Sequence, residues 1–200
     1  MTAEKVDFII QLGDLTPVYN EEALKLWDQF PGPRYHTLGN HDMDRMSKAE
    51  AVKFLGMPAP YYSFDQGIFH FVVLDTNSLY LNGEAVDYDC GNYYRYPDKQ
   101  DWLSKAQLDW LKKDLAATDK RTILFSHQYL GDPAFGARNA PALTEILENA
   151  RDKDGRRKVI ACMNGHHHTD GVKIRKGIYY IYINGMSFFY MNECVHRTRF

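Results

Sequence analysis

Apolar positions along this chain gather into short blocks, each followed by a polar turn. VDFIIQL (6–12) is a near-continuous apolar run, the pattern of a strand covered on both faces. NEEALKLWDQF follows, with Asn20 as helix cap and Leu24, Trp27 and Phe30 at helical spacing. RYHTL (34–38) predicts a short strand, and SKAEAVKFLG a helix running from a Ser47 cap to Gly56 just past its end. YYSFDQGIFHFVVLDT (61–76) predicts a hairpin turning at Asp65-Gln66-Gly67. The polar, tyrosine-rich segment from Ser78 to Asp98 reads as a long loop.

The second half repeats the alternation. SKAQLDWLKKDLAA carries a capping-box pair, Ser104 and Gln107, ahead of Leu108, Leu111 and Leu115. RTILF (121–125) and RKVIACM (157–163) predict two more buried strands, with the helix PALTEILENA between them, and GIYYIYI (177–183) alternates and closes the sheet. Strands interleaved with helices predict an α/β fold with helices covering a central sheet.

Composition narrows this picture. Two hundred residues with 44% hydrophobic content fit one domain, here 1–200, with one sizeable core. Lys and Arg total 24 against 26 Asp and Glu, a formal charge of −2 without a basic stripe, so a nucleic-acid polymer is not a favoured partner. No apolar run approaches the roughly 20 residues of a membrane-spanning helix, so no membrane partner is expected. Cys90, Cys162 and Cys194 show no CxxC spacing and suggest neither a disulfide framework nor a thiolate zinc site. A reducing, cytoplasmic location fits that usage.

The chemistry sits where the strands end. After FIIQL comes Gly13-Asp14, after YHTL comes Gly39-Asn40-His41-Asp42, after TILF comes Ser126-His127, and after VIACM comes Asn164-Gly165-His166-His167-His168. Sites in open α/β sheets assemble at the carboxyl ends of strands, so these residues can converge. A carboxylate, an amide oxygen and several imidazoles suit hard-to-borderline divalent ions. Each piece alone has a plainer reading: Asp14 as a turn residue, His127 as a hydrogen-bonded core histidine, His166 to His168 as a solvated patch. It is the four together, in this order, that favour a metal site.

That order resembles the calcineurin-like metallophosphoesterases, whose pattern is DxH, GDxxD, GNH(D/E), H and GHxH. The resemblance covers essentially the whole chain and implies a four-layer α/β/β/α sandwich hydrolysing phosphoesters with two divalent ions of manganese, iron or zinc. It makes Asp14 the bridging carboxylate, with Asn40, His127 and His166 completing one ion's shell and His168 belonging to the other. His41 becomes the acid that protonates the leaving group and Asp42 the carboxylate that orients it, while substrate contacts fall to Asn40, His41 and Tyr129. Since alternate side chains of an extended segment point the same way, His166 and His168 are expected to face the metals and His167 to point elsewhere.

Two departures from the family pattern carry consequences. GDxxD reads GDLTP, with Pro17 in place of the second aspartate, and no Asp-x-His triplet occurs anywhere in the chain. Only five residues precede VDFIIQL. The expectation is an N-terminally truncated domain that lacks the family's first strand, along with any localisation signal preceding it. It would hold one nearly complete metal site and an exposed sheet edge through which copies can associate. The stretches GMPAPYYSFDQGIFHFVVLDTN and LDWLKKDLAATDKRTILFSHQ look closest to branches resembling ADP-ribose/CDP-alcohol diphosphatases and cyclic-nucleotide phosphodiesterases. A small nucleotide-like phosphoester is the expected substrate, with the loop tyrosines Tyr80, Tyr88, Tyr93, Tyr94 and Tyr96 as candidate stacking partners or ordinary surface packing. The alternatives are a phosphate- or metal-binding fragment without turnover, and a serine/threonine protein phosphatase.

Overall fold

The computed structural model describes residues 5–15 and 21–185; Pro17, Asn20 and Cys194 lie outside the described residues. In chain order the elements are β1 (Ile9–Gln11), α1 (Glu21–Trp27), β2 (Arg34–His36), α2 (Lys48–Phe54), β3 (Tyr62–Gln66), β4 (Phe69–Val73), β5 (Ser78–Leu81) and β6 (Glu84–Asp87), then α3 (Lys105–Ala116), β7 (Arg121–Ser126), α4 (Ala140–Asn149), β8 (Val159–Asn164), β9 (Gly171–Arg175) and β10 (Ile178–Tyr182). Short 3₁₀ turns occupy Asn40–Met43, Asn92–Arg95 and Pro97–Lys99.

A six-stranded sheet runs β3-β4-β7-β8-β10-β9, parallel through β4, β7, β8 and β10 and antiparallel at both edges. Alternation along its strands sorts side chains between two cores. Val72, Leu124, Cys162, Ile178 and Tyr180 face α3 and α4, meeting Leu111, Leu115, Leu143 and Leu147. Phe71, Val73 and Phe125 face the other way, onto Phe8, Ile10 and Leu12 around β1. There β1 pairs with β2 in a parallel two-stranded sheet. A third cluster joins Leu24 of α1, Ala51 of α2 and Leu55 just past its end to Leu15, Leu38 and Leu79. Helices, sheet, smaller sheet and helices are thus layered in the order expected. None of the helices among the described residues is long and apolar enough to cross a membrane.

Three expectations change. The 78–98 segment is a hairpin, β5 against β6, followed by the two 3₁₀ turns. Asn82 and Gly83 both have positive φ, 53° and 90°, the geometry that an Asn-Gly two-residue hairpin turn requires. β9 lies beyond β10, so GIYYIYI does not close the sheet; a second positive-φ pair, Lys176 and Gly177, makes that hairpin. The Ser104 capping box is half formed. Ser104 Oγ accepts from Gln107 N at 3.1 Å, but the Gln107 side chain turns inward and brackets the Asp75 backbone, donating to its carbonyl at 2.7 Å and accepting from its N–H at 2.8 Å. The reciprocal box forms at Ser47 and Glu50 instead.

The hairpin β3–β4 is tied to α3 through a charged histidine. His70 Nδ1 lies 2.7 Å from Asp65 and Nε2 lies 2.8 Å from Asp114, whose other oxygen accepts from Ser63 Oγ. Two carboxylates can both be satisfied only by an imidazolium. Burial, the largest influence, pulls the His70 pKa down, but the hydrogen bonds and charges of Asp114 and Asp65 leave it raised. A raised folded-state pKa stabilises fully below the unfolded value, about 6.5, and that contribution is lost as pH climbs through the folded value. The unsubstituted protein's resistance to urea should therefore weaken as pH rises from about 6.5 upward. His70→Gln should flatten that slope, and equal slopes for the two proteins would remove His70 as its cause.

Candidate metal centre

The turn after β1 carries Gly13 and Asp14, both at positive φ (96° and 60°). The turn after β2 carries Gly39 and the 3₁₀ segment Asn40–Met43. The two turns touch so closely that a Cβ on Gly39 would stand 2.1 Å from Asp14 Oδ1, and one on Gly13 would stand 2.3 Å from His127 Nδ1. Only glycine permits that approach. Asp42, 1% exposed, clips the turns together: its Oδ2 accepts from Gly39 N at 2.8 Å and from Asp14 N at 3.1 Å. Asp14 Oδ1 in turn accepts from His41 N at 3.0 Å.

His127, immediately after β7, is the hub. Its Nδ1 faces the Leu12 carbonyl at 2.7 Å, so Nδ1 carries a hydrogen and the neutral ring presents a lone pair at Nε2. Around Nε2 stand Asp14 Oδ2 at 3.1 Å, Asn40 Oδ1 at 3.1 Å and His166 Nδ1 at 3.0 Å. Asn40 Nδ2 donates to Tyr93 OH at 3.3 Å, which fixes the amide with its oxygen toward the hub. Ligand atoms of Asp14, His127 and His166 all lie within 4.8 Å of one another.

Four electron-pair donors converging on one point repel unless a cation sits among them. A proton on His127 serves in part, and its pKa is raised because Asp14's charge and hydrogen bonds outweigh burial, the largest influence and the one that lowers it. Burial likewise pushes Asp14 up, yet the His127 cation more than reverses this and holds the carboxyl far below its ordinary range. Burial and then the His127 charge pull His166 down to about 3, so it offers a lone pair at neutral pH. Oxygen and imidazole donors without thiolates suit manganese, iron or zinc. The residues fit a divalent ion, and Asp14, Asn40, His127 and His166 are the ones that would hold it.

His168 is exposed and is not among the residues whose ligand atoms lie within 4.8 Å of one another, although the charges of Asp14, His127 and His41 act on it. The segment at 166–168 is not extended: His166 and His168 both take positive φ, 66° and 49°. The alternation argument for their facing the same way therefore does not apply. His167 packs toward Tyr129, ring centroids 6.5 Å apart. Tyr129, an expected substrate contact, is instead 4% exposed and belongs to the helix-side core.

A second correction concerns His41. The carboxylate against its Nδ1 is that of Asp44, at 2.9 Å, not that of Asp42. In a 3₁₀ turn side chains three apart eclipse, which brings Asp44 over His41 and turns Asp42 back to the Gly39 N–H. Asp44 also accepts from Tyr93 OH at 2.5 Å. Asp44 is not part of the family pattern, and its spacing in HDMD is the sequence signal for it. Tyr94, exposed, places its OH 3.3 Å from His41 Nδ1.

Comparison with known proteins adds four findings. The family model described as calcineurin-like phosphoesterase matches residues 2–170. The chain is 26% identical, over an alignment of 211 positions, to a manganese-dependent ADP-ribose/CDP-alcohol diphosphatase of Oryza sativa subsp. japonica, covering 83% of this chain and 64% of that protein. It thus spans less than two thirds of that relative's length. Among solved structures it matches a dimetal phosphatase from Danio rerio, with TM-score 0.69 at 20% identity over 90% of this chain and 73% of that one. It also matches the Plasmodium protein described as the anchor in the inner membrane complex, with TM-score 0.59 at 18% identity over 90% of this chain and 62% of that one. These likenesses establish a shared fold, one that an enzyme and an anchor both use.

Proposed function

This chain belongs to the calcineurin-like phosphoesterases, and on that premise we propose that it hydrolyses phosphoester or diphosphate bonds of small, nucleotide-like molecules with the help of divalent metal. The observation that carries the reading is the cluster of Asp14, Asn40, His127 and His166 beside an exposed His41. Divalent ions, when bound, supply Lewis acidity that neutralises phosphoryl charge and makes water nucleophilic near neutral pH.

The chain's residues divide the remaining work. Asp14 contributes the only carboxylate of the cluster and, through the His41 N–H, ties it to the acid. Asp44 holds the hydrogen of His41 Nδ1, so Nε2 is the atom that carries the proton for the leaving oxygen. As the oxygen of water bonds to phosphorus and the bond to the leaving oxygen breaks, that proton passes to the leaving group and the water's own proton goes to solvent. Asp42 keeps the Asp14 and Gly39 turns in register, a positioning task. The exposed His168 is assigned to a second ion or to the substrate's phosphate.

The test is manganese content per chain by elemental analysis, paired with hydrolysis of ADP-ribose and a CDP-alcohol. We expect at least one ion per chain, and a rate that falls roughly a hundredfold or more on chelation, since a Lewis acid supplies several kcal/mol. Metal bound without turnover of any small phosphoester would favour the binding-protein alternative. No metal bound would sink the metal-dependent reading and the metal-binding alternative together.

A further inference from the structure

Tyr93 occupies a junction within this centre. It is 4% exposed, its ring stacked on Tyr88 at 4.6 Å and flanked by Tyr94 at 4.3 Å. The segment that carries it is stitched to the turn after His41 by two backbone hydrogen bonds, Gly91 N to Met43 O at 2.9 Å and Cys90 N to Met46 O at 3.1 Å. One phenol oxygen therefore meets two parts of the centre. It donates to Asp44 Oδ1 at 2.5 Å and accepts from Asn40 Nδ2 at 3.3 Å, with His41 Nδ1 only 3.4 Å away.

We propose that Tyr93 is a positioning residue that couples the cation-facing amide of Asn40 to the His41–Asp44 acid pair, an inference that rests on the phosphoesterase reading. The two ends of an asparagine amide have nearly the same shape, so hydrogen bonding alone decides which end faces the cation. The Tyr93 hydroxyl makes that choice by accepting from Nδ2. Its own hydrogen holds the Asp44 carboxylate, which in turn holds the His41 ring. Asp44 lies three residues past His41 and Tyr93 lies in the separate 3₁₀ turn Asn92–Arg95, so acid and metal ligand are braced from outside their own turn.

Tyr93→Phe keeps the stacked ring and removes only the hydroxyl, with Tyr179→Phe, an exposed tyrosine of β10 with no part in the site, as control. Two readouts separate positioning from general support of the fold. Manganese affinity by isothermal titration calorimetry should weaken about tenfold to a hundredfold, the usual effect of losing a partner behind a ligand. In manganese-saturated protein, kcat should fall at least about tenfold more for an alkyl ester of thymidine 5′-monophosphate than for its p-nitrophenyl ester, because p-nitrophenolate leaves without a proton and an alkoxide does not. Asp44→Asn should show the same leaving-group bias, and the double variant little more than either alone. Unchanged metal affinity with equal losses on both esters would overturn the proposal, as would no loss at all. If the unsubstituted chain cleaves neither ester, the functional reading falls, and the calorimetric affinities alone judge Tyr93.

Discussion

Replacing Asp14 with asparagine is expected to weaken manganese binding by roughly a thousandfold and to take turnover down at least as far, since unit charges about 4 Å apart at an effective dielectric near 20 interact by about 4 kcal/mol. The substitution keeps the shape and removes the charge. Asp14 uses both oxygens, one accepting from the His41 N–H and one facing His127 Nε2. An asparagine oxygen can satisfy only one of them, and the amide hydrogens then point either at the His41 donor or at the cation position. Burial disfavours the Asp14 charge, and the neighbouring His127 keeps it ionised, so the variant also strips His127 of its counter-charge. Added manganese raises the melting temperature of a protein that binds it. It should stabilise the unsubstituted chain and leave Asp14→Asn unmoved, with matching circular dichroism showing both folded. A calorimetric Kd within a few-fold of the unsubstituted value would remove Asp14 from the ligand set.

How far such a centre can be read from sequence depends on the kind of feature. Buried strands announce themselves as apolar runs, and ligand-type residues at their carboxyl ends can be collected without knowing the sheet order. Hence Asp14, Asn40, His127 and His166 were identifiable, and the structure brings them together. Turn conformation is what the pattern hides. Asp42 and Asp44 both follow His41, and only the 3₁₀ geometry of Asn40–Met43 decides that the second one reaches the imidazole. The histidine run looked extended because it follows a strand; positive φ at His166 and His168 breaks that continuity. The Asn82-Gly83 turn was legible in principle, but its polar, tyrosine-rich surroundings masked the hairpin. Gln107 departs from its expected role for a different reason. Its local role as a capping partner lost to a tertiary one, the bracketing of the Asp75 backbone, and nothing within its own helix reveals that competition.

Asp75 itself should prove the most costly residue to remove away from the centre. Lys48, 3% exposed, places its ammonium 2.6 Å from Asp75 and 2.6 Å from Asp87. Burial, the largest influence, lowers the Lys48 pKa, and the two aspartates more than restore it, so the lysine is charged inside the protein. Removing Asp75 leaves the buried ammonium with only the largely exposed Asp87 as counter-charge, and breaking a buried pair costs up to about 3–5 kcal/mol, a large share of the 5–15 kcal/mol that typically holds a domain together. Asp75→Ala should lower the urea midpoint accordingly, whereas replacing both partners, Lys48→Met with Asp75→Leu, should recover much of the loss because no charge is then stranded. The effect should also reach the metal centre. Asp75 Oδ1 accepts from the backbone and side chain of Asn77, whose amide donates to the Leu38 carbonyl at 2.8 Å and whose Oδ1 accepts from Gln128 at 2.9 Å. Leu38 precedes the Gly39–Asn40 turn and Gln128 follows His127, so one buried network braces both ligand turns from behind. Manganese affinity should therefore drop in Asp75→Ala and stay low in the double replacement even where stability returns, since that variant restores charge balance without restoring the acceptor for Asn77. A stability loss below about 1 kcal/mol, the scale of an exposed ion pair, would mean that the pair is effectively solvated. Recovery of metal affinity together with stability would mean that the network carries no positional information to the centre.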